Sequence, residues 1–288
     1  MNSIFKSIYI VIFPLLALVA LIDSIGFMYS SGVTIQHLAH FSTAICIVFY
    51  FTKVFVKPVP RADSVLQTYT FIIFLGCLLS LLAITIQEDE PIRIVCVTYN
   101  LLLTIGWIVF LLWYSFFQGR NVRNNAILKK GSLLPQLTFE DISRNVVTSK
   151  QFAGTPSIFV FYRGNWCPFC IAQIKEMVSH QKELVKRNIN TIFISSQPKR
   201  FSESLMKKYP LDFQFLVDVD GKTAKELDIF DAHGLPFGLQ LFGFGSHTIL
   251  PTIIITDAEE RIIYTNQAEN YRERPEPTTL LKVIDEHL

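Results

Sequence analysis

Formal charge is absent from long stretches of this sequence. Between Lys6 and Lys53 only Asp23 carries one, and the intervals from Asp63 to Glu88 and from Arg93 to Arg120 hold none. Only 17% of the 288 residues are charged while 50% are hydrophobic, an apolar share that is rich for a protein living wholly in water. A net charge of +2 argues against a nucleic-acid partner. Five cysteines in a chain of this length exclude a disulfide-stapled miniature domain. Glycine and proline, 13 of each, are too few for a collagen-like or low-complexity chain, and 25 phenylalanines exclude disorder.

The charge-free intervals are filled with Ile, Leu, Val and Phe. About 20 such residues in a helix cross the hydrocarbon core of a bilayer. Four spans are predicted, at about 8–28, 37–56, 66–86 and 94–117, the second being weakest because Gln36, His37 and His40 stand at its start. The first is too long for the core of a cleavable signal peptide, and three more follow it. From Gly119 onward charges recur every few residues and apolar runs shorten to strand length. The expected organisation is a four-helix transmembrane domain over 1–118, a basic linker over 119–131 and a soluble domain over 132–288. Lys6, then Lys53, Lys57 and Arg61, then Arg120, Arg123, Lys129 and Lys130 all fall on one side of the bilayer, whereas the other loops hold Arg93 beside Glu88, Asp89 and Glu90. Lys and Arg favour the cytoplasmic side. Both termini and the soluble domain are therefore expected in the cytoplasm, on a multi-pass protein of the plasma or inner membrane. Trp113 and Tyr114 fit an interfacial belt at the inner end of the fourth span.

The soluble part alternates strand and helix patterns. Strands are expected at Ser157–Tyr162, Thr191–Ser195, Phe215–Val217 and Thr252–Thr256, with Arg261–Tyr264 returning antiparallel after a turn. Helices are expected over about 168–187, 199–208, 222–228 and 278–287. This order suggests a mixed sheet with helices on both faces. At the junction of the first of these strands with its helix stands Trp166-Cys167-Pro168-Phe169-Cys170. Two cysteines at this spacing can close a disulfide across one helical turn. The helix N-terminus stabilises a thiolate, which is the reactive form, and Pro168 suits the first turn because it lacks an N–H. Half of a zinc site is the bland alternative, but the soluble part has no other cysteine and its histidines show no paired spacing, so no metal is expected. The pattern points to dithiol redox chemistry. Pro251, just ahead of a buried strand and followed by Thr252, invites a cis peptide bond.

The run Phe161-Tyr162-Arg163-Gly164-Asn165-Trp166-Cys167-Pro168-Phe169-Cys170 resembles the signature of the peroxiredoxin-like AhpC/TSA proteins of the thioredoxin superfamily. Ser195-Ser196-Gln197-Pro198, the Asp218–Gly221 turn and the Asn270–Pro277 stretch are similar to corresponding segments of that family. The resemblance covers about 132–288 and implies an α/β thioredoxin-like fold with a mixed central sheet, in which the Pro251 loop faces the cysteines. It also implies an oxidoreductase without metal or organic cofactor, acting on peroxides or protein disulfides and recharged by a thioredoxin or glutathione system. Laid on peroxiredoxins, Cys170 takes the peroxidatic place, Cys167 replaces a Thr and Arg163 replaces a Pro. Laid on thioredoxins, Cys167 attacks and Cys170 resolves. Both routes end in a Cys167–Cys170 disulfide. Trp166 is expected to shield the site. Arg163 either lowers a thiolate pKa or ends a strand in solvent, and His247 is read as a surface residue.

In the apolar spans, Cys46, Cys77 and Cys96 read as small hydrophobes. A rival reading makes Cys46 and Cys77 a transmembrane electron relay. Another makes the protein a non-catalytic membrane redox sensor. Asp23, His37 and His40 read as helix-end groups meeting water on the outer side, although ionisable groups within spans are functional candidates.

Overall fold

The computed structural model describes residues 2–86, 91–116, 127–209, 213–267 and 269–287. The acidic loop residues Glu88, Asp89 and Glu90 and the linker arginines Arg120 and Arg123 lie outside them, as does the side chain of Arg93. The chain divides into two compact units. One comprises Ile8–Pro58 and Ala62–Phe116; the other comprises Met1–Ser7, Val59–Arg61 and Phe117–Leu288.

The first unit is helical. Its elements are α1 (Asn2–Ser31, from Ile8 onward), α2 (Ile35–Val56), α3 (Gln67–Ile86) and α4 (Pro91–Val109), the last extended by a π-helical turn over Phe110–Tyr114. Among the described residues four helices are long and apolar enough to cross a membrane, and the second is the least apolar of them, as its sequence suggested. Thr34 caps α2 by accepting from His37 N–H. Gly106 lets α1 close on α4, because a Cβ there would meet the Phe13 ring at 2.3 Å. Polarity in this unit is inverted. Gln36, His40, Thr43, Ser80 and Asn100 are buried, while Phe71, Leu78 and Ile105 are exposed. His37 and His40 thus face the bundle interior rather than water, and Trp107 is fully buried.

The second unit is built on a sheet. In chain order it contains β1 (Thr138–Glu140), β2 (Val146–Thr148), β3 (Ser157–Phe161), α5 (Pro168–Ser179), α6 (Gln181–Lys186), β4 (Asn190–Ser195), α7 (Lys199–Lys208) and β5 (Gln214–Val217). Then come α8 (Lys222–Glu226), β6 (Phe230–Asp231), β7 (Thr248–Ile249), β8 (Thr252–Thr256), β9 (Ile262–Asn266) and α9 (Pro277–His287). Seven strands form one mixed sheet in the order β2-β1-β5-β4-β3-β8-β9, and β6 pairs with β7 in a separate ribbon. β3, β4 and β5 run parallel; β8 is antiparallel to β3, and β9 to β8. Right-handed crossovers require helices between parallel strands, and α5–α6 and α7 supply them. Buried on both faces, β3 and β8 read as unbroken apolar or β-branched runs, SIFVF and TIIIT. This is the thioredoxin-like α/β architecture with a mixed sheet that the sequence led us to expect.

The single helix expected over 168–187 is two. The His180 ring bonds Glu176 O at 3.0 Å, occupying the carbonyl that would accept from His180 N–H, and the backbone turns there. The Leu250–Pro251 bond is trans, not cis. β7 and β8 belong to different sheets, so the chain runs on between them without the tight reversal that would favour a cis bond.

Candidate active site

β3 is the central element from which the site is built. Its last residue, Phe161, lies opposite Ile194 on β4 and opposite Thr252 on β8. Pro251 therefore sits at the sheet end from which the 162–167 loop departs. Thr252 is buried there, its hydroxyl donating to Leu250 O at 3.0 Å.

The loop leaving β3 is held rigidly. Gly164 adopts φ +150°, and a Cβ on it would meet Trp166 Nε1 at 2.7 Å and Gln197 Oε1 at 3.2 Å, so only glycine fits without displacement. Gln197 Oε1 accepts from Asn165 N–H at 2.9 Å, while Gln197 Nε2 donates to Tyr162 Oη at 3.0 Å and to Asn165 Oδ1 at 2.9 Å. Asn165 Nδ2 donates to Phe201 O at 2.7 Å. Burial pushes the Tyr162 phenol up to about 12, so it stays protonated at neutral pH.

Cys167 is the N-cap of α5, with extended backbone, and Pro168 occupies the first helical turn. Cys170, one turn on, brings its sulfur to 2.8 Å from the Cys167 sulfur, with both thiols free. Both are sealed inside the fold, Cys167 at 2% exposure and Cys170 at 1%. The two groups titrate in opposite directions. Burial pushes the Cys167 thiol well up, and the neighbouring Cys170 adds to the shift. Burial would raise Cys170 as well. The hydrogen bond from Cys167, the Arg274 charge, the Arg163 backbone N–H and the Arg163 charge together outweigh it and bring Cys170 down to about 6.

Arg163 is not a solvated strand end. It is buried, donates from Nη2 to Gly234 O at 2.5 Å, and lays its guanidinium over the Trp166 ring at 4.6 Å. Trp166, half-buried, covers the loop from outside. Phe169 packs edge-on against Tyr271 at 5.4 Å, which fixes the 270–277 segment beside α5. Arg274 of that segment is buried. Its Nη1 donates to Glu273 O at 2.8 Å, and its guanidinium interacts with Cys170 by charge and by a side-chain hydrogen bond.

Five residues named from sequence alone thus converge: Cys167, Cys170, Arg163, Trp166 and Pro168. Pro251 and Thr252 lie at the same sheet end. His247 is directed elsewhere, stacked on Phe230 at 5.4 Å. Arg274, Gln197 and Tyr162 were not singled out, although the segments carrying all three had been matched to the family. The site holds no metal-ligand cluster among the described residues.

Residues 131–265 match the model of the AhpC/TSA family. That stretch is an AhpC/TSA domain of the peroxiredoxin-like kind. Chloroplastic peroxiredoxin Q of Sedum lineare is 26% identical over 167 residues, covering 57% of this chain and 84% of the relative. The Oryza sativa subsp. japonica peroxiredoxin Q is 30% identical over 108 residues, 38% of this chain, and the chain spans 50% of that relative's length. Among solved structures, peroxidoxin BcpB of Mycobacterium tuberculosis superposes with a TM-score of 0.47 at 15% identity, covering 56% of this chain and 99% of that one. The sequence matches support a thiol peroxidase-like oxidoreductase. In the AhpC/TSA domain the Cys167–Cys170 motif stands at the junction of β3 and α5, the strand–helix junction expected from the sequence.

Proposed function

We propose that this chain is a membrane-anchored thiol peroxidase in which Cys170 attacks the peroxide and Cys167 closes the disulfide. The observation that carries the reading is the asymmetry of the pair: two sulfurs 2.8 Å apart, with Cys170 brought down to about 6 and Cys167 pushed up. At neutral pH Cys170 is the thiolate and Cys167 the S–H that supports it. The Cys170 thiolate attacks a peroxide oxygen, the O–O bond breaks, and the departing oxygen takes a proton and leaves as water or an alcohol. Cys170 is then a sulfenic acid. The Cys167 sulfur attacks it, the S–O bond breaks, and the hydroxyl leaves as water with the Cys167 proton. Two electrons and two protons, from one thioredoxin dithiol or from two glutathione thiols that leave as a disulfide, restore the pair. Arg274 and Arg163 set positive charge where the thiolate and the departing oxygen carry negative charge.

Burial favours a peroxide over a protein disulfide as oxidant. A small molecule can enter a closed site, whereas attack on a protein disulfide needs an exposed sulfur, and Cys167 is 2% exposed. The four apolar helices are proposed to cross a bilayer, with the AhpC/TSA domain on the cytoplasmic side. Their length and composition, their inverted polarity and the one-sided Lys and Arg support this. Of the three intramembrane cysteines, Cys46 directs its sulfur at Tyr69 O, 3.8 Å away, which favours a packing role over a relay.

The test is peroxide consumption by the full chain in lipid nanodiscs, with single cysteine variants beside it. Cys170→Ser is expected to be inactive. Cys167→Ser is expected to consume one equivalent and to accumulate a sulfenic acid that a dimedone-type reagent traps. A trapped sulfenic acid on Cys167 in Cys170→Ser would overturn the assignment.

A further inference from the structure

Between β6 and β7 the AhpC/TSA domain carries a loop of unusual surface character. Phe237 is 63% exposed, Leu241 90% and Phe242 67%, all within six residues. Contiguous exposed apolar groups of this size mark an interaction surface. The loop is not loose. Left-handed Gly238 and Gly243 bracket a 3-10 turn over Leu239–Phe242. Four of its backbone donors are satisfied internally: Leu239 N–H by Pro236 O, Leu241 N–H by Gly238 O, Gly243 N–H by Gln240 O, and Gly238 N–H by Gln240 Oε1 at 2.9 Å. Phe242 O accepts from Arg200 Nη2 at 2.7 Å, and Phe244 stacks on Phe201.

We propose that this loop, Phe237 to Phe242, dips into the interface of the bilayer that the apolar helices cross. The inference rests on the membrane reading given above. Three features select lipid over a second protein as the occupant. A segment entering a bilayer gains by pairing its own backbone polar groups, and here the N–H groups of Gly238, Leu239, Leu241 and Gly243 are paired within the loop. Its apolar tip is backed by Arg200 of α7, whose Nη2 donates to Phe242 O, a positive charge of the kind that faces anionic headgroups. Phe237 N–H donates to Ser7 O at 3.0 Å within the same compact unit, and Ser7 is the residue after which the chain continues into the apolar helices. The base of the loop is tied to the site through Arg163, whose Nη2 donates to Gly234 O. Insertion would hold the dithiol at the membrane surface.

The experiment places a photoreactive benzophenone side chain, one position at a time, at Leu241, at Val146 on β2 and at Phe74 on α3. The full chain is reconstituted in phosphatidylcholine–phosphatidylglycerol vesicles with deuterated acyl chains. All three positions are exposed. Irradiation is expected to add the mass of one deuterated lipid at Leu241 and Phe74 and none at Val146. Lipid adducts at Phe74 but not at Leu241 would overturn the loop proposal and leave the membrane reading standing. A crosslink from Leu241 to a second copy of the chain would make the loop a dimer surface and overturn it equally. Absence of adducts at Phe74 would sink the membrane reading itself, and the loop proposal with it.

Discussion

Cys167 and Cys170 are the same residue three positions apart, yet their surroundings give them opposite chemistry. Burial raises both thiols, and only Cys170 collects enough compensation to fall, because the Cys167 S–H, the Arg163 backbone N–H and two guanidinium charges converge on it. The strongest of the charges comes from Arg274, more than a hundred positions away in the chain. Removing it gives a signed prediction. In the wild type the rate of peroxide reaction should rise through about pH 6 and level off at neutrality, since only the thiolate attacks. In Arg274→Gln the Cys170 thiol moves upward, so the rate at neutral pH falls by roughly tenfold or more, the scale of a lost charge beside a buried acid. The lost rate returns as the medium is made alkaline. A stopped-flow pH profile reads both. An unshifted midpoint with a uniformly lower rate would mean that Arg274 only props the 270–277 segment. The resemblance to the family pointed to that segment, but nothing in a single sequence tells which of Arg272 and Arg274 turns its charge on a sulfur. Fold-back decides that, through the Phe169–Tyr271 contact.

At the scale of elements, what the sequence discloses depends on how far each element's signal is local. α7 is read to the residue because Lys199–Lys208 is polar with one buried stripe, and β8 because TIIIT has no other stable reading. β1 and β2 were not foreseen. Three residues each are too few to establish a period of two, and they exist because β5 offers an edge to pair with. The break at His180 was hidden for a related reason, since a side chain outcompetes the backbone for one carbonyl. The Asp218 turn shows a local signal with a measurable consequence. Its buried carboxylate accepts from Thr223 N–H at 2.9 Å and Ala224 N–H at 2.8 Å, capping α8 where β5 ends. Asp218→Ala leaves both donors buried and unpaired, and should lower stability by about 2 kcal/mol. Asp218→Asn, which keeps one acceptor, should lose less. Thermal unfolding of the full chain checks the order, and equal melting of all three proteins would show that α8 does not depend on this cap.

At the scale of the whole molecule, the two units obey opposite rules for the same solvent question. In the AhpC/TSA domain apolar residues such as Phe159, Phe193 and Ile254 are buried and most charged ones surface, Arg163, Asp218, Arg272 and Arg274 being buried exceptions. In the helical unit Gln36, His40 and Asn100 are buried while Phe71 and Leu78 face outward. The proposed bilayer would reconcile the two rules, which is why the long charge-free intervals of the first 118 residues were more informative than any motif there. Orientation then follows from where the remaining cations stand, and it is testable without disturbing the fold. Lys182 and Lys282 are exposed on the compact unit that holds the AhpC/TSA domain. If the domain is cytoplasmic, an amine reagent that cannot cross membranes should leave both unmodified in intact cells and label both once the membrane is opened. Labelling in intact cells would reverse the orientation. The same dithiol would then stand in a compartment where disulfides persist, and a reductant from the cytoplasm could no longer recharge it directly. The distribution of Lys6, Lys53, Lys57 and Arg61 and the proposed recharging of Cys167 and Cys170 by a cytoplasmic thiol system would make the same demand on topology from independent parts of the chain.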